Sequence, residues 1–207
     1  MSTEKNRFDD YLKEKLWRDI IFRMLVLFFI TGITLSFATR TAGFSSLAYL
    51  EKTAKTIGPV LNTVGLGALF LAGCAMLFKD LEHQNDNWLQ STKRGKIGAV
   101  VRRIASDLML WMLGIFGSML CITVIATINV WQQKGISFMD TLQLSYIYGF
   151  FILGIFVSAA LNIFIRAPKA PLATQKEWAK YFSTPMHTIG FYAGVMIAII
   201  VLAYYAA

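Results

Sequence analysis

The chain has 207 residues, enough for one domain of ordinary size. Apolar residues make up 56% and charged residues 15%, against about 25% charged in a soluble domain, and mean hydropathy is +0.54. With a net charge of +8, this balance excludes a soluble globular enzyme, a disordered chain and a disulfide scaffold, and leaves a polytopic membrane protein.

The N-terminal segment 1–19 is charged, with Phe8, Tyr11, Leu12 and Leu16 recurring at helical spacing. This predicts a cytoplasmic amphipathic helix over 6–19 leading into a membrane domain, 20–207. A helix needs about 20 residues to cross the ~30 Å hydrocarbon layer. Five stretches qualify: 20–39, 57–78, 108–130, 144–165 and 186–205. They are too long, and too apolar on every face, for the alternating strands of a membrane barrel. The expected fold is therefore an all-α bundle of five transmembrane helices with short amphipathic interfacial helices. Arg23 is the one charge inside a span, and its long stem returns the guanidinium to the headgroups. Gly58-Pro59 and Pro185 are placed at span starts, where a missing N–H is harmless.

Short connecting segments make the positive-inside rule applicable. Lys5, Arg7, Lys13, Lys15, Arg18, Lys79, Lys93, Arg94, Lys96, Arg102, Arg103, Arg166, Lys169, Lys176 and Lys180 fall on one side. Arg40, Lys52, Lys55 and Lys134 fall on the other. This bias predicts a cytoplasmic N-terminus and an outside C-terminus, and disfavours dual topology. The positive charge is spread by topology, without a basic stripe or reading motif, so nucleic acid is not an expected partner. Ser36-Phe37-Ala38 has the small-x-small form of a signal cleavage site, but the charged lead before the apolar run is long for a signal peptide.

Cys74 and Cys121 both fall inside spans, so no disulfide framework is expected. The chain has no N-x-S/T acceptor. Both features fit a bacterial inner membrane. Ile97, Val100, Val101, Ile104 and Leu108 predict a second amphipathic helix before the third span. Lys93, Arg94, Lys96, Arg102 and Arg103 form the expected cytoplasmic basic face around it. Thr174-Gln-Lys-Glu177 has the form of a capping box and would start a short helix carrying Trp178, Tyr181 and Phe182. These elements read either as lipid-facing interfacial helices or as a docking platform.

Close packing of helices in lipid relies on small residues. The candidates are Ala68 and Ala72; Gly114 and Ser118; Gly154 and Ser158, with Asn162 one turn on; and Gly190, Gly194 and Ala198. The first span lacks such a stripe and is expected outside a bundle of the other four. Thr31, Thr34, Asn62, Thr123, Thr127 and Asn129 form a polar intramembrane cluster toward the outer side, read as packing glue or as a shallow solute site.

No acidic residue falls deep in a span, where a proton- or ion-coupled carrier keeps one. His83 and His187 are the minimum for haem ligation but stand near the interface. No H-E-x-x-H, G-x-S-x-G, C-x-x-C or phosphate-loop pattern occurs. No catalytic, cofactor-binding or metal-binding residue is expected, no cofactor, and no enzyme activity. The expected function is a non-catalytic inner-membrane subunit of a larger assembly of the secretion, conjugation or energy-transducing type. Its expected partners are membrane lipid and other membrane subunits, or further copies of itself. A neutral-solute channel or facilitator, and a membrane immunity or exclusion protein, are the alternatives.

Overall fold

The structure, a computed structural model, describes residues 16–41, 46–84, 92–135, 137–167, 180–182 and 184–206. Five α-helices account for nearly all of them: α1 (Leu16–Thr41), α2 (Ser46–Gln84), α3 (Thr92–Lys134), α4 (Phe138–Arg166) and α5 (Pro185–Ala206). There is no strand among the described residues. The expected all-helical class is what the structure shows. Four helices carry stretches long and apolar enough to cross a membrane: Trp17–Phe37, Asn62–Glu82, Ile97–Asn129 and Phe138–Arg166. The described apolar stretch of α5 is the shorter Pro185–Val201. The chain is thus built as a multi-pass membrane protein. In such a protein every backbone polar group within the hydrocarbon must be satisfied internally, which the helix does by itself.

Helix ends follow local chemistry. Gly135 closes α3 with φ of 72°, and its N–H donates to the Trp131 carbonyl at 3.2 Å. Only glycine adopts that left-handed conformation without strain. Ser137 caps α4. The Asp140 N–H donates to Ser137 Oγ at 3.2 Å, and the Ser137 N–H donates back to Asp140 Oδ2 at 3.1 Å. This is a reciprocal capping box with aspartate in the glutamate's place. Thr184 caps α5 through its Oγ1, which accepts from the His187 N–H at 3.4 Å. Pro185 takes the first helical position, where it lacks nothing.

Two helices depart from expectation. α2 has 39 residues and α3 has 43. At 1.5 Å per residue these are about 58 and 65 Å long, roughly twice the hydrocarbon thickness. The amphipathic stretch before the third span is therefore not a separate interfacial helix but the first part of α3. Ala105-Ser106-Asp107 contains no glycine, proline or cap pattern facing the wrong way, so nothing interrupts propagation. Pro59 likewise lies inside α2 and not at its start. It removes the rung to the carbonyl of residue 55, and one turn on Thr63 Oγ1 donates to the Pro59 carbonyl at 3.1 Å. Of the amphipathic segment expected over 6–19, residues 16–19 belong to α1 and 6–15 lie outside the described residues. The capping box at 174–177 and Trp178 also lie outside them, while Lys180–Phe182 is a turn.

The helices contribute to two compact units. The described part of the first falls in Val64–Met109 and Ala160–Ala207. Ala68, Ala72, Ala75, Ala105, Met109 and Ile165 form its buried centre. Phe78 of α2 covers Gly98 of α3, and Met196 of α5 covers Gly73 and meets the Cys74 thiol, sulfur to sulfur, at 3.7 Å. Phe182 packs edge-on against Phe191 with ring centroids 5.1 Å apart.

The second unit holds Trp17–Thr63 and Leu110–Ala159. Leu110, Leu113, Ile122 and Ala126 of α3 are buried there. α1 packs on α3 where that helix is smallest. Leu27 lies on Gly114, Met24 on Gly117, and the Arg23 guanidinium sits 5.7 Å from the Trp111 ring. The other sides of α1 present Phe22, Phe28, Phe29, Ile33 and Phe37 outward. On α4, Phe116 of α3 fills the space beside Gly154 and meets Phe150 edge-on at 6.0 Å. A methyl group at position 154 would stand 2.8 Å from the Phe116 ring. Gly154→Ala is therefore expected to destabilise the protein by about 1–3 kcal/mol through overpacking, read as a lowered thermal midpoint in detergent.

Candidate functional site

The first unit buries an unusual amount of polar chemistry for an apolar chain. Lys79 and Asp80 of α2, Arg102 and Ser106 of α3, Asn162 and Arg166 of α4, and Thr188 of α5 are all buried, Asp80, Ser106, Asn162 and Thr188 completely. Each of the four helices supplies a pair of polar residues one turn apart: Asp80 and Gln84, Arg102 and Ser106, Asn162 and Arg166, Thr188 and Tyr192. Positions i and i+4 share one helix face, so each helix presents a two-residue polar ladder. The pairs stand in the last turns of α2 and α4, in the first two turns of α5, and in the early part of α3.

The contacts tie the ladders together. The Tyr192 hydroxyl donates to Asp80 Oδ2 at 2.6 Å, joining α5 to α2. Gln84 Nε2 donates to Thr188 Oγ1 at 2.7 Å and also to the Phe182 carbonyl. Arg102 Nη1 and Glu82 Oε2 form an ion pair at 2.7 Å, joining α3 to α2. Lys79 Nζ donates to the Phe164 carbonyl. That carbonyl belongs to the last turn of α4, where no backbone N–H follows to take it. Ser106 is the meeting point of α3 and α4. Its hydroxyl oxygen accepts from Asn162 Nδ2 at 3.0 Å and from Arg166 Nε at 2.7 Å, and Asn162 Nδ2 also reaches the Ser106 carbonyl at 2.7 Å.

Charge placement has a physical cause. An isolated ion moved out of water costs several kcal/mol, so buried ions survive in company. Arg102 is paired with Glu82, Lys79 bonds the Phe164 carbonyl, and Arg166 bonds Ser106 at the negative end of the α4 dipole. Two buried acceptors, Asn162 Oδ1 and Gln84 Oε1, make no hydrogen bond. The arrangement fixes helix ends to one another through charge-assisted bonds. Among the described residues it holds no pairing of nucleophile and base. Among the described residues, no group of three or more His, Cys, Asp and Glu gathers as a metal site. The His187 side chain is exposed, and that of His83 lies outside the described residues.

The residues singled out in the sequence are distributed as follows. Ala68 and Ala72 are buried in the first unit. Gly114, Ser118 and Ser158 are buried and Gly154 half-buried in the second. Gly190, Gly194 and Ala198 are exposed, with nothing within 4 Å of a side chain built at either glycine. The six polar candidates all belong to the second unit. Thr123 is buried and Thr31, Thr127 and Asn129 half-buried, whereas Thr34 and Asn62 are exposed. The structure brings together Thr127 and Tyr148, whose hydroxyl donates to Thr127 Oγ1 at 2.8 Å. The hydroxyls of Thr34, Thr123 and Thr127 donate to carbonyls one turn back in their own helices, those of Ile30, Met119 and Thr123. Of the basic face, Arg102 turns inward to Glu82 while Arg103 is exposed. The side chains of Lys93, Arg94 and Lys96 lie outside the described ones.

Sequence reasoning passed over Asp80, Gln84, Ser106, Thr188 and Tyr192. The available signal was the recurrence of polar pairs at i, i+4 beside four span ends. The chain matches no protein-family model, no curated protein and no solved structure.

The Tyr192 hydroxyl bond to a fully buried carboxylate is the most testable link. Tyr192→Phe keeps the ring and deletes the donor. It is expected to destabilise the protein by about 1.5–3 kcal/mol, the range for a hydrogen bond to a charged group. In an Asp80→Asn background the same change should cost clearly less, measured as a double-mutant cycle of unfolding in detergent.

Proposed function

We propose that the chain is a non-catalytic integral membrane subunit of a larger multiprotein assembly, of the secretion, conjugation or energy-transducing type. In this reading it crosses a bacterial inner membrane five times, with the N-terminus in the cytoplasm and the C-terminus outside. The observation that carries the reading is the open Gly190, Gly194 and Ala198 face of α5. Thr188 and Tyr192 commit one side of α5 to the first unit. Positions 190, 194 and 198 project from the opposite side, since two residues along a helix is about 200° around it. A face of this kind lets the backbone of a neighbouring helix approach closely, and that approach is what drives association in lipid. Nothing in the described chain occupies it.

The polar chemistry supports the same reading. Donors of Lys79, Gln84, Arg102, Asn162 and Arg166 are spent on neighbouring helices and turns, as a rigid scaffold requires. The hydroxyls of Thr123 and Thr127 serve their own helix, which favours packing over a path for a solute.

Extraction in mild detergent through a tag on the N-terminus, followed by native mass measurement, tests the proposal. The expected result is a defined complex with stoichiometric protein partners. Gly190→Leu with Gly194→Leu should reduce partner recovery at least ten-fold while the subunit keeps its thermal midpoint. A lone monomer, or an assembly of this chain only, would overturn the proposal.

A further inference from the structure

The early part of α3 has two faces. Gly98, Arg102, Ala105, Ser106 and Met109 are buried, whereas Ile97, Val100 and Ile104 are exposed at 55%, 49% and 47%. Because α3 is one continuous helix, this apolar stripe cannot lie flat in the headgroup layer while Leu108–Val130 crosses the membrane. The apolar stretch Ile97–Asn129 runs for 33 residues, about 48 Å against ~30 Å of hydrocarbon, so with Leu108–Val130 across the membrane Ile104 stands about 6 Å and Ile97 about 16 Å before the hydrocarbon begins. The headgroup layer is only about 5–7 Å deep on each side. The far end of the stripe therefore stands beyond the headgroups, where lipid does not cover it.

We infer that the chain's own N-terminal segment, residues 6–15, docks along this stripe on the cytoplasmic side and covers it. The inference rests on the membrane orientation proposed above. Each crossing reverses the chain, so α1 and α3 run the same way. Leu27 on Gly114, Met24 on Gly117 and Arg23 over Trp111 then set their relative height. A residue of α1 stands level with the α3 residue roughly 90 positions later. Carried back from Leu16, where α1 begins, the segment runs level with the stretch containing Ile97, Val100 and Ile104. Phe8, Leu12 and Leu16 recur every fourth residue along it. They extend over about 12 Å as a helix, against about 10 Å for the stripe. The segment is neutral, with Asp9, Asp10 and Glu14 against Arg7, Lys13 and Lys15, so the apolar residues and the register carry the docking.

The test is cysteine pairing in native membranes, in the full chain with Cys74→Ala and Cys121→Ala. Phe8→Cys with Ile97→Cys, and Leu12→Cys with Val100→Cys, should form intramolecular disulfides under mild oxidation. The rate should be at least ten-fold above that of Asp10→Cys with Val100→Cys, which places the first thiol on the opposite face. In a separate full-length variant, labelling of Val100→Cys by a membrane-impermeant maleimide in inverted vesicles should rise several-fold when Phe8→Asp and Leu12→Asp are added. Disulfides to a second copy or to another protein, or labelling unchanged by the two aspartates, would overturn the docking. So would quenching of a Phe8→Trp variant by brominated lipid, which would put the segment in the bilayer. Labelling of Lys93→Cys from the same side reports the orientation separately. If it succeeds while pairing fails, docking is wrong and the topology stands.

Discussion

A carboxylate with no access to solvent sets the terms for one end of this protein. Asp80 is completely buried, and an ion in that position must be matched by donors that do not move away. Tyr192 supplies a short hydroxyl bond from α5. That bond fixes the rotation of α5 about its own axis, because Tyr192 and Thr188 must both face α2. Once α5 is turned that way, Gly190, Gly194 and Ala198 have to face outward. The same requirement, to keep buried polar atoms bonded, places Arg102 on Glu82, and Asn162 and Arg166 on Ser106. Apolar contacts in lipid discriminate poorly between rotational settings of a helix, since hydrocarbon surrounds every face alike. Directional bonds discriminate well, so a few polar residues decide the orientation of many apolar ones.

The helices themselves were legible in the amino-acid order because hydrophobic runs near 20 residues have few other physical meanings. Their lengths were less legible. Hydropathy marks where a helix leaves the hydrocarbon, not where hydrogen bonding stops, and nothing around Ser106 or Asp107 stops it. Hence α3 begins 16 residues before the apolar run it contains, and Pro59 falls inside α2. Glycine135, Ser137 and Thr184 mark true ends because each acts on the backbone directly. The buried network was hidden for another reason. Lys79, Asp80, Arg102 and Arg166 look like ordinary flanking charges one by one, and only the matched one-turn spacing on four helices distinguishes them.

Small residues show the limit of pattern reading. Gly154 and Gly190 each head a stripe repeating every fourth residue, yet Phe116 closes over the first and nothing meets the second. Spacing identifies a surface that permits close approach. What approaches depends on neighbours far away in the chain, here the aromatic ring that α3 directs at α4. Gly114 makes the same point on α3, where Leu27 takes the space a side chain would fill.

Pro59 puts a local weak point inside α2. A helix resists bending through its continuous ladder of backbone bonds, and a proline both removes a rung and presses its ring against the preceding turn. Residues 46–58 precede that weak point, while the network around Asp80 anchors the far end of the helix. α2 therefore yields most easily at that one turn, where its ladder is a hydrogen bond short.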